Sequence, residues 1–355
     1  MKILFLTSAP KNISPSQRFR FEQYIGLEDF RDITCTVKSF YSDSAWSVLH
    51  KNNYQFKKSV GILSGFLRRW LMILTVYKYD FVYIHREATP IGPPVFEWII
   101  AKIFKKKIIF DFDDSIWVKI ASVANPKVAS LKCSWKVANI CKYSRTVSVG
   151  NDFLAEYAGK YCKDVRIIPT VVNTDSYHNK LKNQEENNFT IGWTGTYTNL
   201  YNLQLIKNVI FELQKKYSFN FLIIANRDPM LEKVKYTYKK WELATEIEDL
   251  LQMHIGIMPL INSEVELGKC AFKAIQYMSL GIPPVVSPVG ANKKVVIDGK
   301  NGYWANDEKE WYENLEKLIT NHQLRTEMGT KARERIIANY SVSANKDKFL
   351  QLFNA

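Results

Sequence analysis

One alternation runs the length of this chain and constrains its fold more than any other feature. Short runs rich in β-branched and aromatic residues recur at "KILFLT" (2–7), "FVYIH" (81–85), "KIIFDFD" (107–113), "TVSVG" (146–150) and "VRIIP" (165–169). They return in the second half at "FTIGWTG" (189–195), "FNFLIIA" (219–225), "IGIMPL" (255–260) and "PPVVS" (283–287). Amphipathic stretches such as "NLQLIKNVIFELQKKY" (202–217) and "EKEWYENLEKLITN" (308–321) lie between them. Strand runs that are apolar on both faces, spaced by helical segments, build parallel sheets covered by helices. The fold class is therefore α/β. At 355 residues the chain is long enough for two cores. The polar stretch "YHNKLKNQEENN" (177–188) follows neither period. The expected division is a first domain over 1–178, a linker over 179–188 and a second domain over 189–340. Residues 341–355 are expected to cross back onto the first domain. Two such Rossmann-like halves would face a central cleft, with ligands at the carboxyl ends of their strands.

Composition removes several classes. "MKILFLTSAP" is too short an apolar run for a signal peptide, and no stretch approaches the length of a transmembrane helix. The expected location is the cytoplasm. Five cysteines without CxxC spacing argue for reduced, structural thiols, and His85 has no second histidine at ligand spacing, so no metal is expected. The net charge of +14 is uneven. Residues 1–180 carry 27 Lys and Arg against 15 Asp and Glu, and the remainder carries 22 against 20. Anionic partners such as a phosphorylated substrate or a membrane surface fit that excess; no aromatic–basic motif supports nucleic acid.

The stretch "GKCAFKAIQYMSLGIPP" (268–284) sets Lys269, Lys273 and Gln276 at i, i+4 and i+7, one face of a helix. Helix N-termini already favour anions, so two ammonium groups there point to a phosphate between them. The alternative is a pair of solvated lysines. Glycines and prolines nearby, in "GIPP" and "VVSPVGAN" (285–292), favour the anion site.

Those residues carry a resemblance. The block from "GIMPL" through "GKCAFKAIQYMSLGIPPVVSPVGANKKVVIDGKNGYW" resembles the C-terminal half of family-4 retaining glycosyltransferases of the GT-B fold. "IGWTGTYTN" (191–199) is similar to their glycine loop, and "IIPTVVNTDSY" (167–177) to their strand entering the linker. "YIHREATPIGPP" (83–94) and "IIFDFDDSIW" (108–117) resemble the acceptor half of a subgroup that builds bacterial surface polysaccharides. The resemblance implies a nucleotide-diphosphate-sugar donor, a glycan or lipid-linked acceptor, and no cofactor or metal. It implies a donor site of Gly195, Thr196, Gly268, Lys269, Lys273, Gln276, Val289 and Gly290, with Lys273 stabilising the leaving diphosphate. The family's two glutamates, seven residues apart, fall on Gly268 and Gln276; Glu264 or Glu266 is near enough to substitute for the first. A binding subunit that lost catalysis, or a nucleotide-sugar epimerase, remain alternatives.

In the first half, Asp113 is the candidate catalytic group, as a hydrogen-bond acceptor for sugar or acceptor hydroxyls. Asp114 is read as a helix cap. Arg18 and Arg20 in "SPSQRFRFEQY" (14–24) are candidates for an acceptor phosphate, or else helix-surface arginines. Arg86 and Glu87 are either an ion pair with each other or acceptor contacts. "GFLRRWLMILTVYKYD" (65–80) is a candidate for peripheral contact with an anionic membrane, with Arg68 and Arg69 facing lipid, or a core-packing helix.

Overall fold

The structure, a computed structural model, describes all residues except 50, 52–53, 119–130, 186–187 and 355. The chain divides into two units, Met1–Thr170 with Lys346–Ala355, and Val171–Asn345.

Unit 1 holds six strands: β1 (Lys2–Thr7), β2 (Thr34–Ser39), β3 (Phe81–His85), β4 (Lys107–Phe112), β5 (Thr146–Val149) and β6 (Val165–Ile167). Their order is β2-β1-β3-β4-β5-β6, and every neighbouring pair is parallel. The order reverses between β1 and β3, which opens a crevice at their carboxyl ends. Helix α1 is built from Pro15–Gln17, a π turn over Arg18–Glu22, and Gln23–Ile25. Helix α2 spans Gln55–Ile73; α3 runs Val95–Trp98 with a π continuation over Ile99–Ile103; α4 spans Lys136–Tyr143. The core is aromatic. Phe5 stacks on Phe21 at 5.0 Å, and Tyr24 on Phe349 of the C-terminal segment at 4.3 Å.

Unit 2 holds β7 (Thr190–Gly195), β8 (Asn220–Ala225), β9 (Thr237–Lys240), β10 (Ile255–Met258), β11 (Pro284–Val286) and β12 (Tyr303–Trp304). The order β12-β11-β10-β7-β8-β9 is all parallel and reverses between β7 and β10, the doubly wound arrangement of dinucleotide-binding sheets. Its helices include α5 (Lys207–Lys216), α6 (Glu264–Leu267), α7 (Phe272–Ser279), α8 (Glu308–Thr320) and α9 (His322–Asn339), and α10 (Val342–Leu350) runs across the 345/346 division into unit 1. Asp307 caps α8 by accepting from the Glu310 amide at 2.8 Å, while Glu310 reaches back to the Asn306 amide at 2.8 Å.

Two expectations differ from the structure. The polar stretch 177–188, outside residues 186–187, is packed into unit 2. His178 is fully buried and its carbonyl accepts from Arg333 at 2.6 Å, Lys182 donates its amide to Leu280 at 2.8 Å, and Gln184 donates to His254 at 3.2 Å. Backbone and side-chain hydrogen bonds hold this segment where no apolar period exists. The chain changes units earlier, at 170/171, where Val172 bridges to Ser341. Strands β2, β9 and β12 have no counterpart in the sequence reading.

Candidate functional site

In unit 2 the carboxyl ends of β7 and β10 meet around α6 and α7. Tyr277 locks them together: its hydroxyl accepts from the Thr194 amide at 2.9 Å and donates to the Ile257 carbonyl at 3.4 Å. Burial pushes that phenol well above its ordinary pKa, so it remains a neutral donor. Gly256 lets α7 come this close, since a Cβ there would lie 2.3 Å from the Tyr277 ring.

Lys273, in the first turn of α7, lies against β7. Its ammonium stands 5.5 Å from the centre of the buried Trp193 ring, and a Cβ at Gly195 would lie 2.9 Å from its Cε. Glycine at 195 therefore makes room for the lysine at the strand's end. Thr196 follows, with its hydroxyl 2.8 Å from that of Thr198 and accepting from Asn199 at 3.2 Å.

Lys269 is not on the face of α7. Ala271 adopts a left-handed conformation (φ 54°) that separates α6 from α7 and leaves Lys269 in the turn. The expected run of Lys269, Lys273 and Gln276 on one helix face is corrected accordingly. The turn is held from outside: a Cβ at Gly290 (φ 53°) would lie 2.8 Å from the Leu267 carbonyl, so the loop after β11, with Val289 and Gly290, presses onto Leu267–Gly268. The Lys269 ammonium donates to Asn199 at 3.1 Å and lies 3.5 Å from Glu266. Glu266 is completely buried and accepts from the Tyr201 hydroxyl and from Asn202 at 3.3 Å. Asn202 in turn accepts from the Ile261 amide at 3.2 Å, which stitches the loop after β7 to the loop after β10. Sequence reasoning singled out Glu266 only as a substitute for a missing glutamate; Tyr201, Asn202 and Trp193 it missed.

Gln276 is buried one turn beyond Lys273. A pocket of about 820 Å³ opens at the ends of β10, β11 and β12, lined by Leu260, Ile261, Ser287, Val289, Gly290 and Trp311 among others. Of the expected donor residues, only Val289 and Gly290 line it.

Unit 1 gathers charges at the ends of β1, β3 and β4. Arg20 and Asp111 form a fully buried ion pair at 2.5 Å; Arg20 also donates to the Ile168 carbonyl and to Ser148 at 3.3 Å. This corrects the acceptor role for Arg20, whose guanidinium is consumed inside the fold. Arg18 lies over the Phe19 ring at 4.8 Å. His85 Nδ1 is 3.0 Å from Asp111, and Nε2 is 2.9 Å from the Ser16 hydroxyl. Ser16 also donates to Asp113 at 2.6 Å, so its single hydrogen has two acceptors in reach. Arg86 grips Asp113 through Nε at 2.9 Å and Nη2 at 2.7 Å.

Arg86 and Glu87 are not partners. Arg86 has φ 64°, which turns its side chain to Asp113, while Glu87 pairs with the buried Lys136 at 2.7 Å. Burial alone would raise the Asp111 and Asp113 pKa values. The Arg20 guanidinium and His85 hold Asp111 well below the usual carboxylate range, and Arg86, His85 and Arg20 hold Asp113 below it. Asp113 is thus an anion that accepts hydrogen bonds, a poor proton acceptor near neutral pH. Asp114 accepts from the Ser115 amide at 3.0 Å. Among the described residues, no group of three His, Cys, Asp or Glu side chains is placed to hold a metal ion.

Over its whole length the fold is similar to HepE of Anabaena, solved in complex with UDP-glucose, at a TM-score of 0.68 and 16% identity, covering 99% of this chain and 98% of that one. Residues 188–321 match the family described as glycosyl transferases group 1. The fold is GT-B, and the residues that match this family all lie in unit 2. An uncharacterised glycosyltransferase of Methanocaldococcus jannaschii is 24% identical over 320 residues, 81% of this chain and 78% of its own length. Trehalose synthase of Pyrococcus horikoshii is 29% identical over 75 residues, 21% of this chain and 18% of that protein, so the chain spans under a fifth of that relative's length. The Glu266 cluster, Lys269, Lys273 and the 820 Å³ pocket all fall within the matched domain.

Proposed function

We propose that the chain is a retaining glycosyltransferase that moves a sugar from a nucleotide-diphosphate-sugar donor to a glycan or lipid-linked hydroxyl in surface polysaccharide synthesis. The group 1 domain and the likeness to a fold solved with UDP-glucose support a nucleotide sugar. One observation carries the reading: Lys273 is seated by Gly195 and Trp193 at the reversal point of a doubly wound sheet, with Lys269 in the adjoining turn.

Breaking the sugar–phosphate bond places negative charge on the departing diphosphate and positive charge on the sugar ring. Ammonium groups fixed beside the diphosphate stabilise that transition state without reorganising. Lys269 shares its charge with Glu266, so Lys273 carries the larger part of this task. Val289 and Gly290 place the nucleoside in the neighbouring pocket, while Gly195, Thr196 and Gly268 offer backbone to the phosphates and sugar. Gln276 supplies an amide for ribose. With retention, the acceptor enters on the leaving-group face and the phosphate takes its proton, so no protein nucleophile is assigned. In unit 1, Asp113, oriented by Arg86 and Ser16, accepts a hydrogen bond from a substrate hydroxyl.

The test is turnover with a panel of nucleotide sugars and the product's anomeric configuration read by NMR. Transfer with retained configuration is expected. Inverted product contradicts the stereochemistry, and binding without either transfer or donor hydrolysis leaves a binding subunit instead.

A further inference from the structure

Helix α2 exposes what a soluble helix normally hides. Phe56, Val60, Leu63, Leu67, Trp70, Leu74 and Tyr77, on α2 and the turn after it, recur at alternating steps of four and three, which is one face of a helix. All seven are exposed, Phe56 at 81%, Leu63 at 70% and Leu74 at 69%. The opposite face is fixed inward. A Cβ at Gly61 would lie 2.9 Å from Ala45, and one at Gly65 would lie 2.4 Å from the Phe40 ring, so both glycines seat the helix against its neighbours. Arg69 is fully buried and donates to the carbonyls of Ala88, Lys38 and Thr7 at 2.7, 3.0 and 2.6 Å. Arg69 therefore cannot face lipid as the sequence suggested, and the apolar face begins earlier than residue 65. The Trp70 ring meets Phe96 of α3 at 5.0 Å, and α3 adds exposed Val95, Trp98 and Ile103 beside it.

The charge along α2 and the turn after it has one sign. From 44 to 79 the sequence contains no Asp or Glu, while Lys57 and Lys78 are exposed at its two ends and Lys102 and Lys105 lie on and after α3. We propose that this face of unit 1 lies on an anionic lipid surface, with the seven apolar side chains at the acyl boundary and the lysines at the headgroups. The proposal does not depend on the glycosyltransferase reading. A surface of phospholipid phosphates complements the lysines, whereas a second copy docked by two-fold symmetry would set the same acid-free faces, lysine against lysine. Among the described residues no helix is long and apolar enough to cross a membrane, so the contact is a helix lying in the interface plane.

The test is cosedimentation of the full chain with phosphatidylcholine vesicles and with equimolar phosphatidylcholine and phosphatidylglycerol vesicles. Binding to the anionic vesicles alone, reversed by salt, is expected. Leu63→Glu with Leu67→Glu should lower the bound fraction about tenfold or more, and so should Lys57→Glu with Lys58→Glu, with melting temperatures unchanged because these side chains do not enter the core. The proposal is overturned if wild type fails to bind anionic vesicles, or if both variants bind as wild type does. It is also overturned if wild type is a dimer without lipid that the leucine variant dissociates.

Discussion

Asp111 shows how much of the unit 1 site is folding chemistry. It neutralises Arg20 in a fully buried site, orients His85 and accepts from Ser148 at 2.8 Å. Asp111→Asn should cost about 3–5 kcal/mol, because it leaves a buried guanidinium without its counter-charge; a denaturation midpoint that barely moves contradicts the assignment. The same pair fixes a pH response. Asp111 and Asp113 titrate below their ordinary value of 3.8, so the unfolded chain binds these protons first. Their contribution is complete above that value and is lost as pH falls below it toward their folded pKa values. Acid titration followed by tryptophan fluorescence should show constant stability above about pH 5 and a steep fall below 4, and the Asp111→Asn variant should lose part of that steepness. Sequence alone revealed Asp113 and Arg86 as candidates but hid this network. Ser16, His85 and Asp111 lie on three separate elements, and only the parallel pairing of β1, β3 and β4 brings them together.

At the level of elements, the central strands were legible because helices cover both faces and leave unbroken apolar runs. Strands β2 ("TCTVKS"), β9 ("TYKK") and β12 ("YW") were not, since each is an edge or short strand that meets water and carries polar residues. The break before α7 was equally hidden. Alanine is the best helix former, and the lysine spacing fits a helix, yet Ala271 is left-handed in the turn whose start, at Leu267, the Gly290 loop presses on. Ala271→Gly should therefore be neutral or stabilise by up to about 1 kcal/mol, since glycine accepts that conformation but gains unfolded-state entropy. A loss above that size in urea denaturation contradicts a strained turn. Gly195→Ala would put a methyl group 2.5 Å from the Trp193 ring and 2.9 Å from Lys273. It should displace the lysine and lower turnover far more than it lowers stability.

For the whole molecule, the two-part α/β organisation follows from the repeated strand–helix alternation, and the boundary does not, because residues 177–188 pack through hydrogen bonds rather than through an apolar pattern. The uneven charge, +12 in residues 1–180, goes with the acid-free helix of unit 1, whereas the lysines proposed for the diphosphate lie in the nearly balanced unit 2. A nucleotide sugar at a hundred times its dissociation constant should stabilise the folded chain by about 2.7 kcal/mol, which makes a thermal-shift screen the way to choose the donor. With that donor in hand, the kcat/KM of Lys273→Ala tests whether this ammonium stabilises the departing diphosphate. Charge on the sugar-linked phosphate grows as the bond breaks, so losing this ammonium should cost on the order of 3–4 kcal/mol, with Lys273→Arg recovering only part and folding unaffected. A variant that keeps more than about a tenth of wild-type kcat/KM, a loss of only about 1.4 kcal/mol, would contradict the placement of the diphosphate beside Lys273.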